Sequence, residues 1–587
     1  NAPAMIYPGK NQLRLKKKRD ALLDKLCRKG LLDKYQCDLA KSEPLPGKPY
    51  SLPKMAPHLT QRISAGTLAG QLLRTTLHQD LQDKVNEILS YHSGILKGNN
   101  IGNAAAIVVS VENGEVLAYA GNVQPDERSA GNDVDIITSP RSTGSILKPF
   151  LYASALNEGL ILPNTLLPDI PMQIGGFMPE NYNQTYDGAV PAREALARSL
   201  NVPAVKLLQQ YGYEQLYGQL KKMGMSTLSR PADHYGLSLI LGGAETTLWD
   251  LASIYSSMAR TLIHYQKSGK YDKNDFRQIK FIPDTTTEHN FKGEHSWLDA
   301  AAIYLTFEAM VEVVRPDEDF QWQQFSSGSR IAWKTGTSYG NRDGWAVGIT
   351  PGYVVAVWTG NAGGEGRPGL TGTGCAAPIL FDIFKALPSS AWFESPLQEM
   401  VSIPVCTRSG FRASSACETS EYQWVPKKGL QTPVCPFHKL VHLDAKGEYQ
   451  VTSACESPLN MIHTGWFILP PAQEYFFRTK NPFYRTLPPF KPGCAPAGIR
   501  LMEMIYPENN SRIYVPVDID GKPGSTVFHV AHRDPSKKIY WHLDDKFLGT
   551  TAGEHKMSLS PEKGLHRMVL VDESGETLNV NFEILRK

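Results

Sequence analysis

The 587-residue chain is 41% hydrophobic and 20% charged, with a formal net charge of +3 at pH 7; that is apolar enough for about three or four packed domains and too evenly charged to mark a nucleic-acid binder. The densest basic run, Lys16-Lys17-Lys18-Arg19, has no interleaved aromatic residues and reads as a solvated helix face, so no nucleic-acid partner is expected. No uninterrupted run of about 18 apolar residues occurs and no signal peptide opens the sequence, which as printed reads as soluble.

In chain order, Arg19, Asp20, Leu22, Leu23 and Leu26 mark a helical run ending at Gly30, and Leu31 to Lys41 follows it. A proline-rich linker occupies about residues 42 to 58. The pattern then predicts a helix over Gln79 to Tyr91 and a hairpin joining Ala104–Val111 to Glu115–Gly121 through Asn113-Gly114. A glycine turn, Pro140 to Gly144, leads into Ser145-Ile-Leu-Lys148, and Pro149 to Leu156 reads as a buried helix. Proline is tolerated only in the first helical turn, which places Ser145 at the helix start. Helices are expected at Ala192–Ser199, Pro203–Tyr211, Leu248–Thr261 and Leu298–Val314, and strands at Ile331–Trp333, Trp345–Ile349 and Tyr353–Trp358. Together these predict an α+β domain, an antiparallel sheet covered by helices. The glycine-rich run Gly360 to Gly374 reads as a plain loop rather than a cleft lining.

Three fragments carry chemistry: Ser145-Ile-Leu-Lys148, Ser199-Leu-Asn201 and Lys334-Thr335-Gly336-Thr337-Ser338. A serine hydroxyl needs an adjacent base, and a lysine serves only when its ammonium is desolvated or crowded by another cation. With Ser145 opening a helix, Lys148 sits one turn on, able to reach the hydroxyl while Lys334 lowers its proton affinity. A strand-borne Lys334-Thr335-Gly336 can present ammonium, hydroxyl and open backbone to a substrate along a sheet edge. Two similar strings read differently. Ser51-Leu-Pro-Lys54 lies in the proline-rich linker, and Lys267-Ser-Gly269 in a polar stretch without a strand.

The order of the fragments resembles the penicillin-recognising serine transferases. Leu73-Arg-Thr-Thr-Leu77, Gly144-Ser-Ile-Leu-Lys-Pro-Phe-Leu-Tyr152, Leu241-Gly-Gly-Ala-Glu245 and Val357-Trp-Thr-Gly-Asn361 look like the transpeptidase domain of class A, bifunctional penicillin-binding proteins. The resemblance implies that Ser145 is the nucleophile attacking a D-Ala-D-Ala peptidoglycan stem peptide, Lys148 the base, and Ser199 the proton relay. It further implies that Asn201, Lys334, Thr335, Gly336, Thr337 and Ser338 bind substrate, and that the Ser145 and Thr337 N–H groups form the oxyanion hole. Stem peptides and β-lactams are the implied ligands, with no metal or organic cofactor. Which lysine takes the first proton stays open.

The same resemblance divides the chain into a family 51 glycosyltransferase remnant (1–45), a linker (46–72), the transpeptidase domain (73–390), a cysteine- and proline-rich connector (391–494) and a C-terminal β-sandwich (495–587). It implies a longer bifunctional protein on the periplasmic side of a bacterial inner membrane, with membrane contact through the missing N-terminal part. Cys406, Cys417, Cys435 and Cys455 admit two readings. One is a zinc site using Cys435-Pro-Phe-His438 with His442; the other, favoured for an envelope protein, is disulfides, with Cys406–Cys417 and Cys435–Cys455 as the guessed pairs. From Gly498, strands are expected at 498–504, Ser511–Val517, Gly524–Ala531, Lys538–Leu543, His555–Ser558, Gly564–Val571 and Thr577–Leu585. This module resembles the domain appended to one branch of the family, and envelope protein partners are open to it. A β-lactamase, a carboxypeptidase and a low-turnover binding module are the alternatives. The only Glu-x-x-Leu-Asn string, Glu456 to Asn460, falls after Lys334, where a deacylating glutamate is not expected.

Overall fold

A computed structural model describes residues 5–48, 54–66, 68–123, 130–174, 176–283, 296–313, 330–494, 500–515 and 524–585. Ser51, Val314, Gly498 and Val517, which fall within or at the ends of expected features, lie outside them. The chain divides into two units, Asn1–Pro57 and His58–Lys587. In the first, α1 (Gln12–Arg28) carries Lys16 to Lys18 on an exposed face, as its charge pattern predicts. Helix α2 (Lys34–Ser42) starts at Asp33, whose carboxylate accepts from the Gln36 N–H while the Gln36 side chain accepts from the Asp33 N–H. The Cys37 thiol donates to the Leu23 carbonyl, tying the helices together.

After the short helix Pro57–Ser64 come α3 (Gln79–Leu96) and the expected hairpin, β1 (Asn103–Ser110) and β2 (Val116–Ala120). Gly114 takes φ +71° at its turn, a conformation open to glycine without a Cβ penalty. Helix α4 (Lys148–Asn157) is buried along its whole length. A small hairpin, β3 (Leu166–Asp169) and β4 (Gly188–Pro191), feeds α5 (Ala192–Ala197) and α6 (Asn201–Tyr211). Two longer helices follow, α7 (Leu248–Ser268) and α8 (Ala300–Val311). Strands β5 (Ala332–Thr337), β6 (Asp343–Ile349) and β7 (Tyr353–Gly360) then complete an antiparallel sheet of order β2-β1-β7-β6-β5.

Both faces of that sheet are covered, so β1 is buried at every position from Asn103 to Val109 instead of alternating. On one side Val85 and Leu89 of α3 meet Leu380 and Phe384 of α9 (Ala377–Lys385) over Ala104, Ala106 and Val108. On the other side lie α7 and α8. Strand β5 is the sheet edge, and it packs against the turn before α4.

The connector holds more regular structure than its weak periodicity predicts. Strands β8 (Met400–Cys406) and β9 (Ser420–Pro426) make one two-stranded sheet, and β10 (His438–Leu443) and β11 (Ile462–Phe467) another. Helix α10 (Pro471–Lys480) was not legible, since its aromatic run gives no clear amphipathic stripe. The guessed disulfides are corrected: Cys455 pairs with Cys494, whose Cα lies 5.6 Å away, while Cys406, Cys417 and Cys435 are free.

The C-terminal region is the expected sandwich. Strands β12 (Met502–Tyr506), β14 (Thr526–His532) and β17 (Lys556–Leu559) form one sheet; β13 (Ser511–Tyr514), β15 (Ile539–Leu543), β16 (Lys546–Thr551), β18 (Gly564–Asp572) and β19 (Thr577–Leu585) form the other. Their facing side chains, including Met502, Phe528, Trp541, Leu570 and Phe582, make a core of their own. Strand β16 is an addition to the expected set. Its turn is Asp544-Asp545, both at positive φ, a hairpin turn without the glycine that usually announces one.

Candidate active site

The three fragments expected to act together meet at the outer side of β5. The helix expected at Ser145 begins instead at Lys148, with Leu147 as its cap; Ser145 lies in the preceding turn. That turn still sets the two residues one above the other, because the Lys148 N–H donates to the Ser145 carbonyl at 3.2 Å. Pro149 falls in the first helical turn, as its missing N–H requires.

Close backbone approach fixes the turn against β5. Gly144 has φ +50°, and a Cβ there would sit 2.4 Å from the Thr337 carbonyl oxygen; one on Gly336 would sit 2.7 Å from that of Thr143. Further braces come from residues that no sequence motif singles out. The Tyr255 hydroxyl donates to the Ile146 carbonyl at 3.2 Å, and the Trp345 indole to that of Ser142 at 2.8 Å. Both rings are fully buried.

Ser199 occupies the loop between α5 and α6 with φ 58°, a left-handed conformation costly for a serine. This turns its carbonyl and hydroxyl toward the two lysines. Lys148 Nζ donates to the Ser199 carbonyl and to Asn201 Oδ1, each at 2.7 Å, and Lys334 Nζ donates to Ser199 Oγ and to the Thr335 carbonyl, each at 2.8 Å. The expectation that the Lys148 amine reaches the Ser145 hydroxyl is corrected: it rests on the second fragment instead. Among the described residues that hydroxyl makes no hydrogen bond, and neither does the hydroxyl of Thr335.

Both lysines are buried, at 3% and 0% exposure. Burial alone brings Lys334 down to about 7. Lys148 is held well below the ordinary lysine range, first by burial and then by the charge of Lys334. The crowding cation expected from the sequence is present, but removal from water outweighs it.

Asn201 is placed from a distance. Asn181 Oδ1 accepts from the N–H groups of Asn201 and Val202 at 3.0 and 3.2 Å, capping α6 from outside the helix. Its amide in turn donates to buried Asp169 at 2.7 Å. This Asp169–Asn181 support was invisible in sequence, because the contacts join β3, a loop and a helix start.

Just after β5, the Ser338 N–H donates to the Asp343 carbonyl at 3.0 Å. By the alternation of an antiparallel ladder the Thr337 N–H then points away from β6, toward the Ser145 turn. The Ser338 hydroxyl is buried and accepts from the Asp343 N–H at 2.8 Å, so it serves the turn between β5 and β6. The glycine-rich run is more than a plain loop at its end. Gly372 N–H donates to Thr337 Oγ1 at 3.1 Å, and a Cβ on Gly372 would lie 2.9 Å from that of Thr335.

Two families of known proteins match this architecture. Residues 104–385 match the penicillin binding protein transpeptidase domain, and residues 491–582 the penicillin-binding protein C-terminus family. Two stretches of the chain are thus similar to domains of the penicillin-binding proteins, the family that its motifs resemble. It is 32% identical over 388 residues to penicillin-binding protein 1C of Escherichia coli K12, a match covering 66% of this chain and 47% of that protein. It is 30% identical over 265 residues to penicillin-binding protein 1B of Vibrio cholerae, covering 44% and 32%. The chain spans less than half the length of these relatives. The crystal structure of penicillin-binding protein 1A from Haemophilus influenzae shares the fold, with a TM-score of 0.53 at 16% identity over 70% of this chain and 82% of that one.

Proposed function

We propose that this chain is a serine-type D,D-transpeptidase that cross-links peptidoglycan stem peptides and is acylated by β-lactams. The observation that carries the reading is the pair of buried lysines of lowered proton affinity, Lys148 and Lys334, bracketing Ser199 beside a Ser145 hydroxyl that has no hydrogen bond among the described residues.

In this reading Ser145 Oγ attacks the carbonyl between two terminal D-alanines, and neutral Lys148 takes its proton. The carbonyl oxygen becomes an oxyanion held by the N–H groups of Ser145 and Thr337. Ser199 Oγ accepts from Lys334, which leaves its own proton free to pass to the departing D-alanine amine, while the proton that Lys148 took from Ser145 replaces it on Ser199. Asn201 has one amide hydrogen bound to the Glu180 carbonyl and a second for the peptide backbone. Lys334 and Thr335 hold the terminal carboxylate, and Gly336 leaves room for the peptide along the β5 edge. An amine from a second stem peptide then attacks the acyl-enzyme, releases Ser145 and forms the cross-link. The scheme requires no cofactor. It places the protein in the bacterial cell envelope, on the periplasmic side of the inner membrane, with the C-terminal sandwich available to envelope partners. Among the described residues, no helix is long and apolar enough to cross a membrane.

Labelling with a fluorescent penicillin tests the proposal, comparing the unaltered chain with Ser145→Ala and following release for hours. Labelling that needs Ser145 and persists is expected. Absence of labelling overturns acylation, and rapid release points to a β-lactamase. A stem-peptide assay with and without an acceptor amine then separates cross-linking from carboxypeptidase activity.

A further inference from the structure

The three free cysteines of the connector converge on one histidine. Cys406 ends β8, Cys417 lies in the turn before β9, Cys435 precedes β10, and His438 is the first residue of β10. One ligand atom from each lies within 4.8 Å of all the others. Cys406 Sγ and Cys435 Sγ stand 3.4 and 3.3 Å from His438 Nδ1. In a tetrahedral zinc site, bond lengths of ~2.3 Å to sulfur and ~2.05 Å to nitrogen imply a sulfur-to-nitrogen edge of about 3.5 Å. We infer that Cys406, Cys417, Cys435 and His438 form a structural zinc site that clamps the two connector hairpins together.

The surroundings suit thiolates. The Ser409 hydroxyl, itself fully buried, donates to Cys435 Sγ at 3.1 Å, and the Ser414 N–H to Cys417 Sγ at 3.3 Å. Without a metal, His438 is buried at 4% exposure with its Nδ1 facing weakly bonding sulfurs and its Nε2 without a hydrogen-bond partner among the described residues. Four protein ligands close a tetrahedron and leave no position for substrate, which is the structural rather than the catalytic arrangement. Binding releases the thiol protons and needs no oxidant.

The architecture explains why a clamp is needed here. Each connector sheet has two strands, and isolated two-stranded hairpins are marginal in water. Cys406 and Cys417 come from the first hairpin, Cys435 and His438 from the approach to the second. The Cys455–Cys494 disulfide lies outside the cluster. The clamp also reaches the transpeptidase domain: the Leu166 N–H donates to the Ser409 carbonyl at 2.9 Å, and the Thr165 hydroxyl to that of Gly410 at 3.2 Å. A Cβ on Gly410 would lie 1.8 Å from the Asn164 carbonyl oxygen, so this turn is pressed directly against the start of β3.

The full chain, purified without chelator, is expected to hold one zinc by elemental mass spectrometry. Cys406→Ser and His438→Ala are expected to lose most of it, and the paired exchange Cys455→Ser with Cys494→Ser to keep it. Cobalt exchanged into the unaltered chain is expected to give a thiolate charge-transfer band and the visible bands of a tetrahedral ion, a readout that stands even where a ligand variant fails to fold. Alkylation after chelation is expected to find Cys406, Cys417 and Cys435 all free. A metal-free chain with no thiolate–cobalt band, metal kept by both ligand variants, or a disulfide joining any two of those three cysteines overturns the site.

Discussion

Two ammonium groups cannot both keep their charge in a cleft removed from water, and Lys148 and Lys334 divide the two states between them. Lys148 is held well below its usual range by burial and then by the charge of Lys334, so it gives up its proton more readily than an ordinary lysine. Lys334, at about 7, is charged below neutrality and loses that charge above it. Acylation needs the first without its proton and the second with it. The second-order rate of labelling by a penicillin is therefore expected to rise from acid and fall as pH passes about 7. Lys334→Arg keeps its charge throughout and is expected to remove the alkaline fall, though at a lower rate because the planar guanidinium does not fit the same contacts. A fall that survives in Lys334→Arg, measured from about pH 5 to about pH 10, would assign it to another group. The fragments themselves were legible in the sequence because a nucleophile, its base and a strand-borne cation are local strings. Asp169, Asn181, Tyr255 and Trp345 were not, because each acts across elements far apart in the chain.

At the level of elements, the β3–β4 hairpin receives pressure from two sides. The Ser409–Gly410 turn lies on its first strand, and helix α10 on its second. Gly188, at φ +77°, would place a Cβ 2.2 Å from the Gln473 carbonyl oxygen and 2.5 Å from the Phe477 nitrogen. Gly188→Ala is expected to lower stability by about 1–2 kcal/mol from backbone strain alone, with a further loss as α10 is pushed off. Gly176→Ala is the control, since Gly176 has φ +89° but nothing among the described residues within 4 Å of an added Cβ. Thermal melts should separate the two, and proteolytic cutting at α10 should appear only in Gly188→Ala. Equal losses without cutting would remove the packing argument. The main sheet was readable because strand length, glycine turns and apolar runs agree there. The connector was not: its order comes from the Cys455–Cys494 bond and the convergence of distant side chains, neither of which leaves a period in the sequence.

Across the molecule, the C-terminal sandwich is joined to the rest by a buried ion pair between Arg533 and Glu474 of α10. Arg533 also donates to the carbonyls of Leu469 at 2.7 Å and Arg500 at 2.9 Å. Removing one partner strands the other charge in the junction, a loss of about 3–5 kcal/mol. Arg533→Ala is expected to split the calorimetric transition, the sandwich melting apart on its own core, and Arg533→Met with Glu474→Leu to restore part of the loss. A single transition in both would mean that the pair does not set the coupling. The order of the main sheet has a further consequence, for the time course of folding. Strand β1 finds its second neighbour only in β7, after the whole helical layer from α4 to α8 has been laid down, so the β1–β2 hairpin, once it has left the ribosome, carries an unpaired, apolar edge until the sheet closes. Such late closure makes refolding slow and leaves the nascent chain dependent on whatever covers that edge in the interval.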